Sequence, residues 1–191
     1  MLQYICMSPE AVLSGSEEFL NVDKVIGALN IQPGMHVADF GCGSGYKTIA
    51  IAQKVGEQGR VTALDVQEAP LDAVHGKAKA VGLANVDTVR ADLEVLGSSG
   101  LPDSSQDMVL LANILFQSTK KKEILQEAKR VLKSGGILTV VDWKKNVKGF
   151  GPPNDLRTDE DTMRALVQEV GFTFQRAIDT GQFHFGLLFT K

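Results

Sequence analysis

The sequence predicts an α/β fold: an open, mostly parallel sheet with helices on both faces. Two observations carry this. Five short apolar runs, rich in branched residues and each followed by a polar or acidic residue, alternate with helical patterns over the first three-quarters of the chain. Runs that are apolar on both faces read as buried parallel strands, and their alternation with helices implies a sheet covered on both sides. The last quarter changes grammar, because two strand-like runs there are separated by only four residues, 179–182. So short a link holds no crossover helix, so these two strands are expected to pair antiparallel.

The elements follow in order. A helix over 16–29 has Phe19, Leu20, Val25, Ile26 and Leu29 as its apolar set, and Gln32, Pro33 and Gly34 turn the chain into the first strand, His36–Phe40. A helix over 48–55 leads to the strand Arg60–Asp65, and one over 70–81 to the strand Val86–Arg90. The fourth strand is expected over 108–112. The helix over 121–132 then gathers Ile124, Leu125, Ala128, Val131 and Leu132 on one face at a period of 3.6. Ser134, Gly135 and Gly136 are expected to stop that helix through a left-handed glycine cap, ahead of a fifth strand over 137–142. Residues 144–153, rich in Lys, Gly and Pro, form a loop where a substrate segment is expected. A helix over 159–170 and strands over 172–178 and 183–190 complete the chain.

Composition narrows the function classes. With 191 residues, 43% hydrophobic and 23% charged, the chain can fill one core but not two full-sized domains. It is therefore read as a single domain over 1–191, with 1–15 set apart as an N-terminal segment whose Tyr4 and Cys6 could close over a pocket. The 20 Lys and Arg against 23 Asp and Glu give a net charge of −3, which argues against a polyanion-binding surface and hence against nucleic acid. The two cysteines, Cys6 and Cys42, build no disulfide framework and suit a reducing compartment. No apolar stretch approaches the roughly 20 residues that span a bilayer, and no basic leader precedes an apolar block. A soluble cytoplasmic protein is expected, with no metal site.

The most informative segment is 37–48, VADFGCGSGYKT, where Gly41, Gly43 and Gly45 follow a buried strand and open a helix. Without a Cβ they allow a tight turn and let a ligand press on bare backbone. A dinucleotide loop needs a third glycine where Tyr46 stands, and so does a phosphate loop ending in Lys47 and Thr48. S-adenosylmethionine has no phosphate. It needs close backbone approach to its amino-acid end and an acceptor for its ammonium, which the glycines, Ser44 and Asp39 offer. Ligands of open α/β sheets lie outside the carboxyl ends of the strands. There Asp65 ends the second strand, followed by Val66, and can accept from a ribose diol. Ala91, Asp92 and Leu93 follow the third, with a carboxylate for an adenine amino group and an apolar wall. Asn113 and Ile114 end the fourth, and Asp142 and Trp143 the fifth.

Together, VADFGCGSG, the Asp65 strand end, the Ala91-Asp92 pair and the final hairpin resemble the class I S-adenosylmethionine-dependent methyltransferases over nearly the whole chain. The layout is similar to the small ubiquinone/menaquinone-biosynthesis type. The resemblance implies a Rossmann-like, seven-stranded sheet with an antiparallel last strand and S-adenosylmethionine as cofactor, leaving S-adenosylhomocysteine as product. It also implies that Gly41, Gly43 and Gly45 line the methionine part, Asp65 the ribose, Asp92 the adenine and Asn113 the inner edge.

Methyl transfer from a sulfonium needs alignment and exclusion of water more than a dedicated base, so the acceptor is written faintly in the sequence. Asn113-Ile114-Leu115-Phe116 is no Asn-Pro-Pro-aromatic motif, which argues against nucleobase amines. With Cys42 inside the cofactor loop, only Cys6 is left for thiol chemistry, which argues against an arsenic methyltransferase. Asp142 and His184 are the catalytic candidates, with Trp143, Lys144 and Lys145 as further acceptor contacts. Lys120–Lys122 and Lys144, Lys145 and Lys148 could together form a basic rim. The expected activity is methylation of a small molecule. Its rivals are a non-catalytic module that only binds the cofactor and a nicotinamide-dependent oxidoreductase.

Overall fold

The computed structural model describes residues 20–191. The expected helix over 16–29 is seen there as α1, Val22–Ala28, with Asn21 at its N-cap accepting from the Lys24 amide at 2.8 Å. Phe19, Tyr4, Cys6 and the proposed closing segment 1–15 lie outside the described residues. The other elements are β1 (His36–Phe40), α2 (Tyr46–Val55), β2 (Arg60–Asp65), α3 (Glu68–Ala80), β3 (Val86–Arg90) and β4 (Gln106–Ala112). A single 3-10 turn (Leu115–Gln117) precedes α4 (Lys121–Val131), β5 (Leu132–Trp143), α5 (Glu160–Glu169), β6 (Thr173–Ile178) and β7 (His184–Thr190).

Among the described residues, seven strands join one sheet in the order β3-β2-β1-β4-β5-β7-β6. The first five run parallel, and β7 enters antiparallel between β5 and β6. Side chains alternate between faces along a strand. Ala38, Phe40, Val109, Leu111, Leu138, Val140, Phe185 and Leu187 therefore pack with α4 and α5 on one face. Val37, Val61, Met108, Leu110 and Val141 pack with α1 and α2 on the other. A smaller group, Cys42, Ala63, Leu71 and Val74, seats α3 beside the glycine loop. Full burial of side chains of this size stabilises by about 1.5–3 kcal/mol each, which is what holds the strand ends in register.

One sequence expectation changes. The helix α4 ends at Val131, before the glycines, and the chain goes directly into β5 with Leu132 extended. Gly135 does take a positive φ of 76°, but it serves an excursion of the strand: Gln106 pairs Leu132, whereas Met108 pairs Ile137. A side chain at Gly136 would meet the Lys133 carbonyl at 2.9 Å, so this bulge requires glycine for space as well as for φ. A buried ion pair escaped the sequence reading. Glu127 accepts from Arg130 and from the Gly97 amide at 2.7 Å each, and these bonds hold its carboxyl down at about 2 against the desolvation of burial. Arg130 also donates to the Leu101 carbonyl at 2.8 Å, so this pair ties the β3–β4 connection to α4.

Candidate functional site

The carboxyl ends of the parallel strands share one edge, and the glycine loop crosses it. Gly41, Gly43 and Gly45 have φ of 73°, 53° and 85°, a region that costs other residues about 1–2 kcal/mol. Their surroundings differ. A Cβ on Gly41 would sit 2.9 Å from the Ile114 side chain, and one on Gly45 2.6 Å from Val74, whereas one on Gly43 would have nothing within 4 Å. The outer two glycines pack the loop, and the middle one leaves bare backbone with open space beside it. The amides of Gly41 and Cys42 both donate to the Leu64 carbonyl, at 2.8 and 3.0 Å, fixing the loop to β2.

The acids of the sequence reading take up positions around this loop. Asp39 is buried and accepts from the Thr48 hydroxyl at 2.6 Å. Asp65 accepts from the Gly43 amide at 3.3 Å and the Gln67 amide at 3.0 Å, which steadies it at the end of β2. Asp92 is exposed and accepts from the Glu94 amide at 3.1 Å, between the buried Ala91 and Leu93, while Val66 is exposed nearby in the chain order of the edge. Asn113 holds a left-handed φ of 60°, and its buried side-chain oxygen has no partner among the described residues. Cys42 is fully buried, and burial, with the charges of Asp39 and Asp65, pushes its thiol far above the ordinary range. It is therefore no nucleophile.

The two catalytic candidates occupy different faces. Asp142 lies opposite Phe185 across the β5–β7 pair, and Trp143 lies opposite His184. Asp142 thus points with Phe185 toward α4, and His184 with Trp143 toward α2. One Asp142 oxygen accepts from the Trp143 amide at 2.8 Å, and the other forms no hydrogen bond within 3.5 Å among the described residues, the Phe116 amide being the further backbone donor that acts on the carboxyl. Burial pushes its carboxyl up to about 7, against the Trp143 and Phe116 amides and the Lys121 charge, which pull it down. His184 is fully buried, with neither ring nitrogen partnered among the described residues. Burial, with the charges of Arg157, Lys144 and Lys47, lowers its pKa to about 4, so the imidazole is neutral at pH 7.

Trp143 is buried and packs against His184, with ring centroids 4.0 Å apart and the rings tilted by 41°. The loop after β5 folds onto it, and Arg157 organises that loop. Its guanidinium lies 5.6 Å from the Trp143 ring and donates to the carbonyls of Pro152, Lys144, Val147 and Phe150 at 2.6–3.0 Å. Gly151, with φ of 90°, sits so close that a Cβ would be 2.5 Å from the indole. A cavity of about 250 Å³ opens beside this loop, lined by Lys145, Val147, Asp159, Glu160 and Phe185 among others. Of the expected basic rim, Lys120 pairs with Glu94 at 3.5 Å and Lys122 with Glu169 at 2.6 Å. Lys121 donates to the Ser118 carbonyl at 2.5 Å and Lys144 to that of Gly181 at 3.0 Å.

Sequence reasoning missed Arg157 and Lys47. No motif flanks Arg157; only the loop's want of a donor for its carbonyls marks the position. Lys47 stood in plain view within the glycine segment, and its burial, at 5% exposure, is the unexpected fact. Among the described residues there is no cluster of His, Cys, Asp or Glu able to hold a metal, and no helix long and apolar enough to cross a membrane.

A family model described as a methyltransferase domain matches residues 31–177. The chain is 33% identical over 123 residues to a ubiquinone/menaquinone biosynthesis C-methyltransferase of Pseudoalteromonas translucida, covering 64% of this chain and 48% of that protein. It is 27% identical over 161 residues to human arsenite methyltransferase, covering 74% and 42%. The chain thus spans about half the length of these curated relatives. A solved S-adenosylmethionine-dependent methyltransferase from Aquifex aeolicus superposes with a TM-score of 0.84 at 28% identity, over 94% of this chain and 95% of that one.

Proposed function

Because the chain belongs to the methyltransferase-domain family, we propose that it transfers a methyl group from S-adenosylmethionine to a small-molecule acceptor. The observation that carries this reading is the glycine loop, pinned at Gly41 and Gly45 and bare at Gly43, beside Asp65 at the end of β2. A bare backbone suits an amino-acid tail, and a carboxylate suits a ribose diol. When bound, S-adenosylmethionine supplies a methyl group on a positively charged sulfur, open to in-line displacement.

The chain's own residues do the rest. Gly41, Gly43, Ser44 and Gly45 line the tail, with Asp39 toward its ammonium. Asp65 and Val66 hold the sugar, Ala91, Asp92 and Leu93 the base, and Asn113 and Ile114 the inner edge. Asp142, whose carboxyl burial raises to about 7, is the group able to hold a proton released by an acceptor. His184, on the other face, serves with Trp143 as wall. The relatives' names point to small molecules, ubiquinone/menaquinone biosynthesis in one and arsenite in the other. The buried, protonated Cys42 argues against arsenic-thiolate chemistry here. The reducing cytoplasm is the compartment we infer, from the lack of a disulfide framework.

Isothermal titration with S-adenosylhomocysteine tests the reading. It should bind at micromolar levels or tighter while NADH does not; the reverse would make the protein an oxidoreductase. Asp65→Ala should weaken S-adenosylhomocysteine by about 1.5–3 kcal/mol, the scale of charge-assisted hydrogen bonds. Unchanged affinity in the folded variant removes Asp65 from the site. Radiolabelled methyl transfer over an acceptor panel then separates an enzyme from a module that only binds.

A further inference from the structure

Lys47 is the second residue of α2, and its side chain is buried against the glycine loop. Lysine is almost never buried without a partner. Yet among the described residues its ammonium forms no ion pair and no hydrogen bond. It lies within electrostatic reach of Cys42 on one side and His184 on the other, so it stands between the loop and the Trp143 wall. Three further features surround it. The N-cap of α2 is Gly45, which offers no side chain to the helix. The first turn carries no acid, leaving its amides without a counter-charge. Three residues before Lys47, the Ser44 hydroxyl is buried with no partner among the described residues.

An ammonium, a hydroxyl and uncapped helix amides are all donors. They suit an anion small enough to enter the loop, and a carboxylate has that size and charge. Asp39, which like Lys47 acts electrostatically on Cys42 in the loop, carries the opposite charge, so each end of an amino-acid zwitterion has a complement there. We propose that Lys47, assisted by the Ser44 hydroxyl, is the counter-charge for the carboxylate of the cofactor's amino-acid tail; this assignment rests on the S-adenosylmethionine reading. It makes Lys47 a binding residue for one end of the ligand, and it explains why a cation is held at a position that the fold could fill with an apolar side chain.

Two ligands that differ by the tail alone test it: S-adenosylhomocysteine and 5′-methylthioadenosine, which keeps the nucleoside and the sulfur but lacks the amino acid. In the full chain, Lys47→Met should weaken S-adenosylhomocysteine 10- to 100-fold and leave 5′-methylthioadenosine within twofold, as measured by calorimetry. Lys47→Arg should restore most of the loss. Ser44→Ala, which disturbs the fold least, should weaken S-adenosylhomocysteine two- to fivefold, again sparing 5′-methylthioadenosine. Equal losses for both ligands would make Lys47 a structural residue, and no loss for S-adenosylhomocysteine would turn it toward the acceptor; either overturns the proposal while the cofactor reading stands. Wild-type protein that binds neither compound overturns both.

Discussion

The two halves of the sheet edge are built differently. Around β1, β2 and β3 the groups on offer are backbone and short acids: bare Gly43, Asp65 tied to two amides, Asp92 in its own turn. Around β4, β5 and β7 they are polar groups enclosed by packing and drawn from distant parts of the chain: the Asn113 side-chain oxygen and the buried Asp142, His184 and Arg157. The first half is made within a few residues of each strand, and its geometry is set by φ. The second is made by packing, and its chemistry is set by burial. A site of the first kind tolerates little change in backbone, and one of the second kind little change in charge.

The sharpest way to break this contrast is at the glycines. Gly45→Ala meets both a positive φ and Val74, so it should destabilise the fold by about 2–4 kcal/mol, adding left-handed strain to overpacking. Gly43→Ala meets only the φ cost of about 1–2 kcal/mol in the fold and should instead weaken S-adenosylhomocysteine binding. Chemical denaturation and calorimetry on both variants measure this. If the two behave alike, the division of labour within the loop is wrong.

The second contrast concerns charge. The Asp142 carboxyl is raised from 3.8 to about 7, so the folded state keeps a proton that the unfolded chain gives up. Stability should therefore be unaffected by this group below pH 4 and fall as pH rises from about 4 to 7. Asp142→Asn removes the loss, and the variant should be more stable than wild type by about 1–3 kcal/mol at pH 8 and no more stable at pH 3.5. If Asp142 takes the acceptor's proton, the same variant loses turnover while keeping cofactor affinity. A stability difference independent of pH would show that the carboxyl titrates alike in the folded and unfolded chain.

The smallest effect belongs to the loop. Trp143 is the single tryptophan of the chain, so its emission reports on the loop that covers it. Arg157→Lys cannot reach four carbonyls with one fork and should cost about 1 kcal/mol of stability, the scale of a hydrogen bond. Its emission should shift to the red and become open to acrylamide, with S-adenosylhomocysteine affinity unchanged. An unshifted spectrum would mean that the loop holds itself.

The legibility of the molecule follows the same division. The bounds of β1, β2 and β3 match the sequence reading residue for residue, because each is short and closed by a polar residue or a turn; the expected burial on both faces fails at β3, which lies at the sheet edge with its residues half-buried or exposed. The glycine segment was readable because left-handed φ and close approach both demand the absence of a side chain. At Gly135 and Gly136 the same demand was visible but its use was not, since a helix cap and a strand bulge call for the same residue. Arg157 and His184 were harder still. Arg157 meets carbonyls of its own irregular loop, and His184 meets the Trp143 ring only because β7 crosses back beside β5; no spacing along the chain encodes either.

That return of β7 has a consequence for synthesis. As the chain emerges from the ribosome, β6 is made before the strand it must lean on, and the twelve-residue β5, rich in Val and Leu, waits with one side unpaired until β7 arrives. An unpaired apolar strand is a template for pairing with other chains. Translation that stalls before residue 184 therefore leaves a nascent sheet already committed on one side and adhesive on the other, the stage at which a holding chaperone would matter most.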